Sequence, residues 1–327
     1  MPTIALPFPT HKKLEPNILM PSTPFKWLKR LGLFLGAMLL LCVLLGWIGW
    51  QYAHPSVNRT DGVVYGERHG KPLTLDVLQP AKGANGLGIA LMVSGGWKSG
   101  PPGASPVWMM APLLRKGFTV FAISHLSQPE STVMEIIEDV QRGVRFVRHH
   151  ASDYGIHPDR IGVTGGSAGG HLSLMLATVG GPGDPSSEDP VDRASSAVQA
   201  VAIFFPVTDL LNLGTSTENP GDGGPPKSYV KAFGPDATLM DAWKIIGQKT
   251  SPIYHIHPEM PPILIHHGDA DTLTPLEQSE WFVEQAQKQG NAIELKVVHG
   301  VGHGWPTMTL DIRRFADWFD RQLNPTP

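Results

Sequence analysis

Ser167 lies in Gly165-Gly166-Ser167-Ala168-Gly169, between a short apolar stretch and an apolar run that opens like a helix. The G-x-S-x-G spacing fits a strand-to-helix turn that holds a serine hydroxyl proud of a sheet, beside the positive end of a helix. Glycine two places to either side lets strand and helix approach without Cβ clashes. A serine hydroxyl is a weak nucleophile. It needs an imidazole to take its proton, and the imidazole needs a carboxylate to fix its tautomer. Both partners follow in order. Asp269 and Asp271 come after the apolar residues 263–267, and His299 and His303 come after residues 293–298. Either Asp and either His completes the set of residue types.

Attack on a carbonyl also needs donors for the oxyanion that develops. The Ala168 N–H at the helix start is one candidate. Gly95 and Gly96, in Ser94-Gly95-Gly96-Trp97, supply others, because glycine lets backbone N–H groups reach a ligand. Trp97, Phe205 and Trp305, with Trp108, are candidates for a pocket wall, and ordinary packing is the alternative for each. The pattern at Ser167 is weak by itself in a glycine-rich chain, so its surroundings must decide.

Those surroundings are strands alternating with helices. Residues 63–66 and 73–78 alternate apolar and polar around a turn and predict an antiparallel hairpin. Residues 88–93 and 118–124 are short apolar runs that predict buried strands, and 160–164, 198–204, 263–267 and 293–298 read as further strands. Helices are expected at 107–116, 131–151, from the elbow to 179, at 277–289 and at 309–323. In the second of these, Val133, Ile136, Ile137, Val140, Val144 and Val147 share one face at the helical period. This rhythm predicts right-handed βαβ units and a mostly parallel sheet with helices on both faces, the reactive residues sitting on loops at its carboxyl edge. Two long stretches break the rhythm. Residues 180–196 and 212–236 are rich in Gly, Pro, Asp and Ser, and either form a lid or rim over the elbow or are disordered surface excursions.

Composition narrows the classes. A formal charge of −3 and no basic cluster outside the N-terminal region give no sign of nucleic-acid binding. The single cysteine, Cys42, excludes an intramolecular disulfide framework. His266-His267 and His255-x-His257 lack a third ligand at metal-site spacing, so no metal and no cofactor is expected. Residues 1–25 are rich in Pro and polar groups and are expected to be disordered and cytoplasmic. Residues 26–52 are expected to be a transmembrane signal anchor. Residues 31–50 carry no charge, and twenty helical residues span about 30 Å, a bilayer core. Trp27, Trp47, Trp50 and Tyr52 flank this run as interfacial aromatics. Lys26, Lys29 and Arg30 before it place the rest of the chain on the extracytoplasmic side, periplasmic or extracellular. A cleaved signal peptide with a secreted product is the alternative.

From about residue 60 to 324 the chain resembles the α/β-hydrolase superfamily, most closely bacterial serine esterases of the feruloyl/acetyl esterase and hormone-sensitive-lipase-like groups. The matching pieces are Leu73-Thr74-Leu75-Asp76-Val77, Gly95-Gly96-Trp97, Asp159-Arg160-Ile161, Gly166-Ser167-Ala168-Gly169-Gly170-His171-Leu172, His267-Gly268-Asp269-Ala270-Asp271 and Gly302-His303-Gly304. The resemblance implies an α/β-hydrolase catalytic domain over residues 57–327, preceded by one transmembrane helix. It implies Ser167 as nucleophile, Asp271 as acid and His303 as base, with a small-molecule ester as substrate. Where the family usually has H-G-G-G-W, this chain has Val93-Ser94-Gly95-Gly96-Trp97, so the leading histidine is absent and Ser94 replaces part of the loop's bonding or touches substrate. The alternatives are a serine peptidase of the prolyl-oligopeptidase-like kind and a catalytically silent, membrane-tethered binding module.

Overall fold

The computed structural model describes residues 24–324. The expectation of disorder therefore falls, up to residue 23, outside the described residues. The chain divides into two compact units, Met1–Gln51 and Tyr52–Pro327. The described part of the first unit lies in helix α1 (Pro24–Ala53), in which Trp27–Ala53 is long and apolar enough to cross a membrane.

The second unit is an eight-stranded sheet. Its strands are β1 (Val57–Arg68), β2 (Lys71–Pro80), β3 (Gly88–Met92), β4 (Thr119–Ile123), β5 (Ile161–Gly166), β6 (Ala200–Phe204), β7 (Ile263–Gly268) and β8 (Ile293–Val298). They lie in the order β1-β2-β4-β3-β5-β6-β7-β8. The β1–β2 hairpin and the β2–β4 pair are antiparallel, and every other pairing is parallel. Helices α2 (Val107–Arg115), α3 (Val133–His149), α4 (Ala168–Val179), α5 (Met240–Thr250), α6 (Leu276–Lys288) and α7 (Met308–Leu323) cover it.

Two cores result, one on each face. In β4, Phe121 and Ile123 join one core while Val120 and Ala122 join the other, because successive strand side chains point to opposite faces. Helices α3, α4, α5 and α6 pack on the first face, and α2 and α7 on the second. The helix predicted at 131–151 is α3, and it buries the six residues named from its period. Thr132 opens it with a capping box: its hydroxyl accepts from Glu135 N, and Glu135 reaches back to the Thr132 N–H at 2.7 Å. Such a cap is worth about 1 kcal/mol. Helix α7 seats Phe319 on the sheet where Gly162 leaves room. A Cβ there would stand 2.7 Å from the ring.

Helix α5 and the 3₁₀ turns at Val230–Phe233, Pro235–Thr238 and Pro252–His255 were not expected from the sequence. They carry Phe233 and Trp243 into the first core.

Candidate active site

Ser167 sits between β5 and α4 with φ 55° and ψ −121°, a left-handed conformation that costs a non-glycine residue on the order of 1–3 kcal/mol. Its neighbours enforce it. A Cβ on Gly165 would lie 2.5 Å from the Gly169 backbone, and one on Gly169 would lie 2.6 Å from Met92 O. Helix α4 therefore starts pressed against the ends of β5 and β3. The Ser167 N–H donates to Phe204 O at 3.1 Å and its carbonyl accepts from His171 N at 2.9 Å.

Asp271 follows β7 in a tight turn. Its Oδ1 accepts from the N–H groups of Leu273 and Thr274, each at 3.0 Å. His303 follows β8. The two loops touch: Ala270 N donates to Val301 O at 3.0 Å, and Gly268 has no side chain to hold them apart. The contact brings His303 Nδ1 to 2.7 Å from Asp271 Oδ2 and His303 Nε2 to 2.9 Å from Ser167 Oγ. The Nδ1 proton belongs to the carboxylate contact, so Nε2 accepts from the serine hydroxyl. Burial pushes the Asp271 carboxyl up. Hydrogen bonding to His267 and His303, the charge of His303 and the Thr274 N–H outweigh it and hold the group well below the usual carboxylate range.

Asp269 and His299 take another arrangement. His299 Nδ1 lies 2.7 Å from Asp269 Oδ2, and its side chain is 85% exposed. Asp269 also accepts from Gly300 N at 2.7 Å. The pair braces the loop after β8 and makes no hydrogen bond to Ser167.

A cavity of about 40 Å³ opens beside Ser167. Gly96, Trp97 and Ala168 line it, with Val207, Leu210 and Leu273 as its apolar wall. Neither the Gly96 nor the Ala168 N–H has a backbone acceptor among the described residues. Gly95 requires a correction. Its N–H donates to Lys98 O at 2.9 Å, and Lys98 N returns a bond to Gly95 O, so that amide is committed to a turn.

The expected pocket residues separate. Trp97 lines the cavity. Its indole N–H donates to Nδ1 of the buried His171 at 3.2 Å, and His171 Nε2 donates to Thr250 O at 2.6 Å. Ser94 does not line it. Its hydroxyl meets His125 Nε2 at 2.9 Å. Phe205 backs the His303 ring, with centroids 4.4 Å apart, and is not part of the wall. Trp305 is buried in the second core, where its indole N–H donates to Asp311 at 2.8 Å. Both aromatics follow strand ends, where a core residue and a pocket residue look alike in sequence.

The two long stretches also part. Residues 212–236 supply Leu213, Glu218 and Tyr229 to the cavity rim. Residues 180–196 instead clamp α3: Arg142 pairs with Asp189 and Asp192, each at 2.6 Å, and Arg148 donates to Ser195 O. None of them lines the cavity. Among the described residues no cluster of three His, Cys, Asp or Glu side chains is arranged to hold a metal.

A profile of the BD-FAE family matches residues 75–286, well over half of the chain. The chain belongs to the BD-FAE family. This BD-FAE chain is 32% identical over 242 residues to the probable carboxylic ester hydrolase LipM of Mycobacterium tuberculosis, covering 73% of itself and 53% of that protein. It is 32% identical over 184 residues to esterase LipQ of the same organism, covering 56% of itself and 42% of the relative. It thus spans about half the length of these curated relatives. Among solved structures, a truncated carbohydrate esterase from gut microbiota superposes with a TM-score of 0.64 at 27% identity, over 81% of this chain and 96% of the other. Esterase 2 of Thermogutta terrifontis, phosphorylated by paraoxon, superposes with a TM-score of 0.62 at 25% identity, over 83% and 95%.

Proposed function

We propose that this BD-FAE protein is a carboxylic ester hydrolase that works through an acyl-enzyme on Ser167. The observation that carries the reading is the continuous path from Ser167 Oγ to His303 Nε2 at 2.9 Å and from His303 Nδ1 to Asp271 Oδ2 at 2.7 Å. Ser167 Oγ attacks the ester carbonyl as His303 takes its proton. The oxyanion is received by the N–H groups of Gly96 and Ala168. His303 then returns the proton to the departing alcohol, and a water activated by the same imidazole releases the acid. Asp271 keeps the imidazole in the required tautomer and stabilises its cation.

The printed names of LipM and LipQ support ester hydrolysis, and the phosphorylated neighbour supports a nucleophile of the kind organophosphates trap. The relatives named above do not support the peptidase or the silent binding module. Ser167→Ala is expected to abolish hydrolysis of p-nitrophenyl acetate while the thermal transition remains cooperative. Turnover at the wild-type rate would overturn the reading.

The same proposal places the enzyme at a membrane through Trp27–Ala53, as a single span with residues 57–327 on the extracytoplasmic side. The basic residues before the span support that direction, since positive charge stays cytoplasmic. Protease added to spheroplasts, whose periplasmic face is open, should digest residues 57–327 and leave the cytosolic controls whole. Protection of that domain would reverse the orientation, and release into the medium would favour a cleaved signal.

A further inference from the structure

The amide of Gly96 has to point at one place, yet glycine brings no side chain to steer it and adopts φ 55° here. The loop it belongs to must be held from outside. Resting on the ester-hydrolase reading above, we propose that His125 is the positioning residue of this loop, gripping it through the Ser94 hydroxyl so that the Gly96 N–H faces the Ser167 oxygen.

Strand pairing carries the argument first. Strands β3 and β4 are parallel neighbours with Met92 opposite Ile123. Two residues further on, Ser94 and His125 leave the sheet at the same height, though 31 residues separate them in sequence. His125 Nδ1 lies 2.7 Å from Leu126 O and can only donate to that carbonyl, which leaves Nε2 as an acceptor. The Ser94 hydroxyl supplies the matching donor at 2.9 Å. His125 is 6% exposed, and both its ring nitrogens are used. A polar pair whose imidazole is buried and whose members are both satisfied rigidifies its surroundings, because breaking it strands a donor or an acceptor.

The grip continues along the segment that His125 begins. Gln128 N donates to Trp97 O at 3.0 Å, and Gln128 Nε2 donates to Gly96 O at 3.4 Å. Fixing the carbonyls of Gly96 and of Trp97 after it limits rotation of the peptide units beside its amide. On the other side, Gly169 N donates to Ser94 O at 3.1 Å, so the residue His125 holds is also the one docked on the start of α4. Ser94 thus joins the two backbone donors: its hydroxyl anchors the Gly96 loop, and its carbonyl ties that loop to the turn carrying Ala168. The chain has no histidine at position 93, and His125 performs the anchoring from the adjacent strand.

The test uses the full chain, with kinetics on p-nitrophenyl acetate and hydrogen exchange of the peptide covering residues 94–98. Ser94→Ala and His125→Ala should each lower kcat about tenfold with KM within about twofold, a fraction of what losing a whole oxyanion donor costs. The double variant should be no slower than the worse single, because the two side chains act as one unit. His125→Gln, which keeps an acceptor for the Ser94 hydroxyl, should recover most of the loss. Exchange in the 94–98 peptide should rise in both alanine variants and return toward wild type in His125→Gln. Wild-type kcat in Ser94→Ala, losses that multiply in the double variant, or unchanged exchange would overturn the proposal. A wild-type protein that cleaves no ester would instead overturn the function, and the exchange result would still decide the role of His125.

Discussion

A Cβ placed on Gly268 would stand 2.3 Å from the carbonyl oxygen of Val301. Gly268 ends β7 and precedes the Asp271 turn, and Val301 lies in the loop that delivers His303. The separation between Asp271 and His303 is therefore set by a backbone-to-backbone contact that only glycine permits. Gly268→Ala should force the two loops apart and lower kcat on the order of 10²-fold, as displacements near 1 Å do in preorganised sites. Kinetics on a short aryl ester check this. An alanine variant within twofold of wild type would mean that the loops adjust independently.

The Ser167 backbone stores strain at φ 55°. Alanine at this position keeps a Cβ and hence the strain, while glycine relieves it. Ser167→Gly should be more stable than Ser167→Ala by about 1–2 kcal/mol, with both variants inactive. Parallel urea titrations measure the difference. Equal stability would place the cost of the turn elsewhere.

The two nearby acids should differ sharply. Asp271→Asn leaves His303 without the carboxylate that sets its tautomer, and kcat should fall on the order of 10³–10⁴-fold. Asp269→Asn removes a partner from an exposed imidazole and should change kcat less than about twofold. Matched losses in the two variants would contradict the assignment.

Stability should depend on pH through buried imidazoles. Burial pushes His125, His171 and His266 down to about 4 from the ordinary 6.5. The unfolded chain takes up protons below about pH 6.5 that the folded chain refuses until about pH 4. Their contribution is complete above the unfolded value and is lost as pH falls through the folded one. Asp271 is held low in the folded state, so its own contribution is lost only below about pH 4. Unfolding free energy should therefore drop steadily from pH 7 to 4.5, with a slope of up to about 1.4 kcal/mol per pH unit for each imidazole. Chemical denaturation across that range checks the slope. A flat profile would mean these side chains are protonated in the folded protein.

The centre of the sheet was legible because β3 and β4 are short apolar runs, and α3 was legible because six apolar residues share one face. Helix α5 was not. Gly247 interrupts it, Leu239 gives it no side-chain cap, and Trp243 is its one large buried residue. At the site, the order of a serine, an aspartate and a histidine after successive strands was readable, but that order does not separate Asp271 from Asp269 or His303 from His299, and the resemblance alone pointed to Asp271 and His303. The Gly95 commitment was not readable, because two adjacent glycines look equivalent until the turn to Lys98 is seen. His125 was invisible for a different reason: its link to Ser94 comes from the pairing of β3 with β4, and nothing in the spacing of 31 residues announces it. The rim formed by residues 212–236 and the α3 clamp formed by 180–196 have similar compositions, and only their anchoring partners separate them.

On the proposed function, Ser167 is the nucleophile of an ester hydrolase. The most direct measurement of that role is peptide mass spectrometry after treating the full chain with an organophosphonate. A single adduct on the Ser167 peptide, forming in step with loss of esterase activity and absent in Ser167→Ala, is the predicted result. An adduct on another residue, or activity that survives complete modification of Ser167, would contradict it.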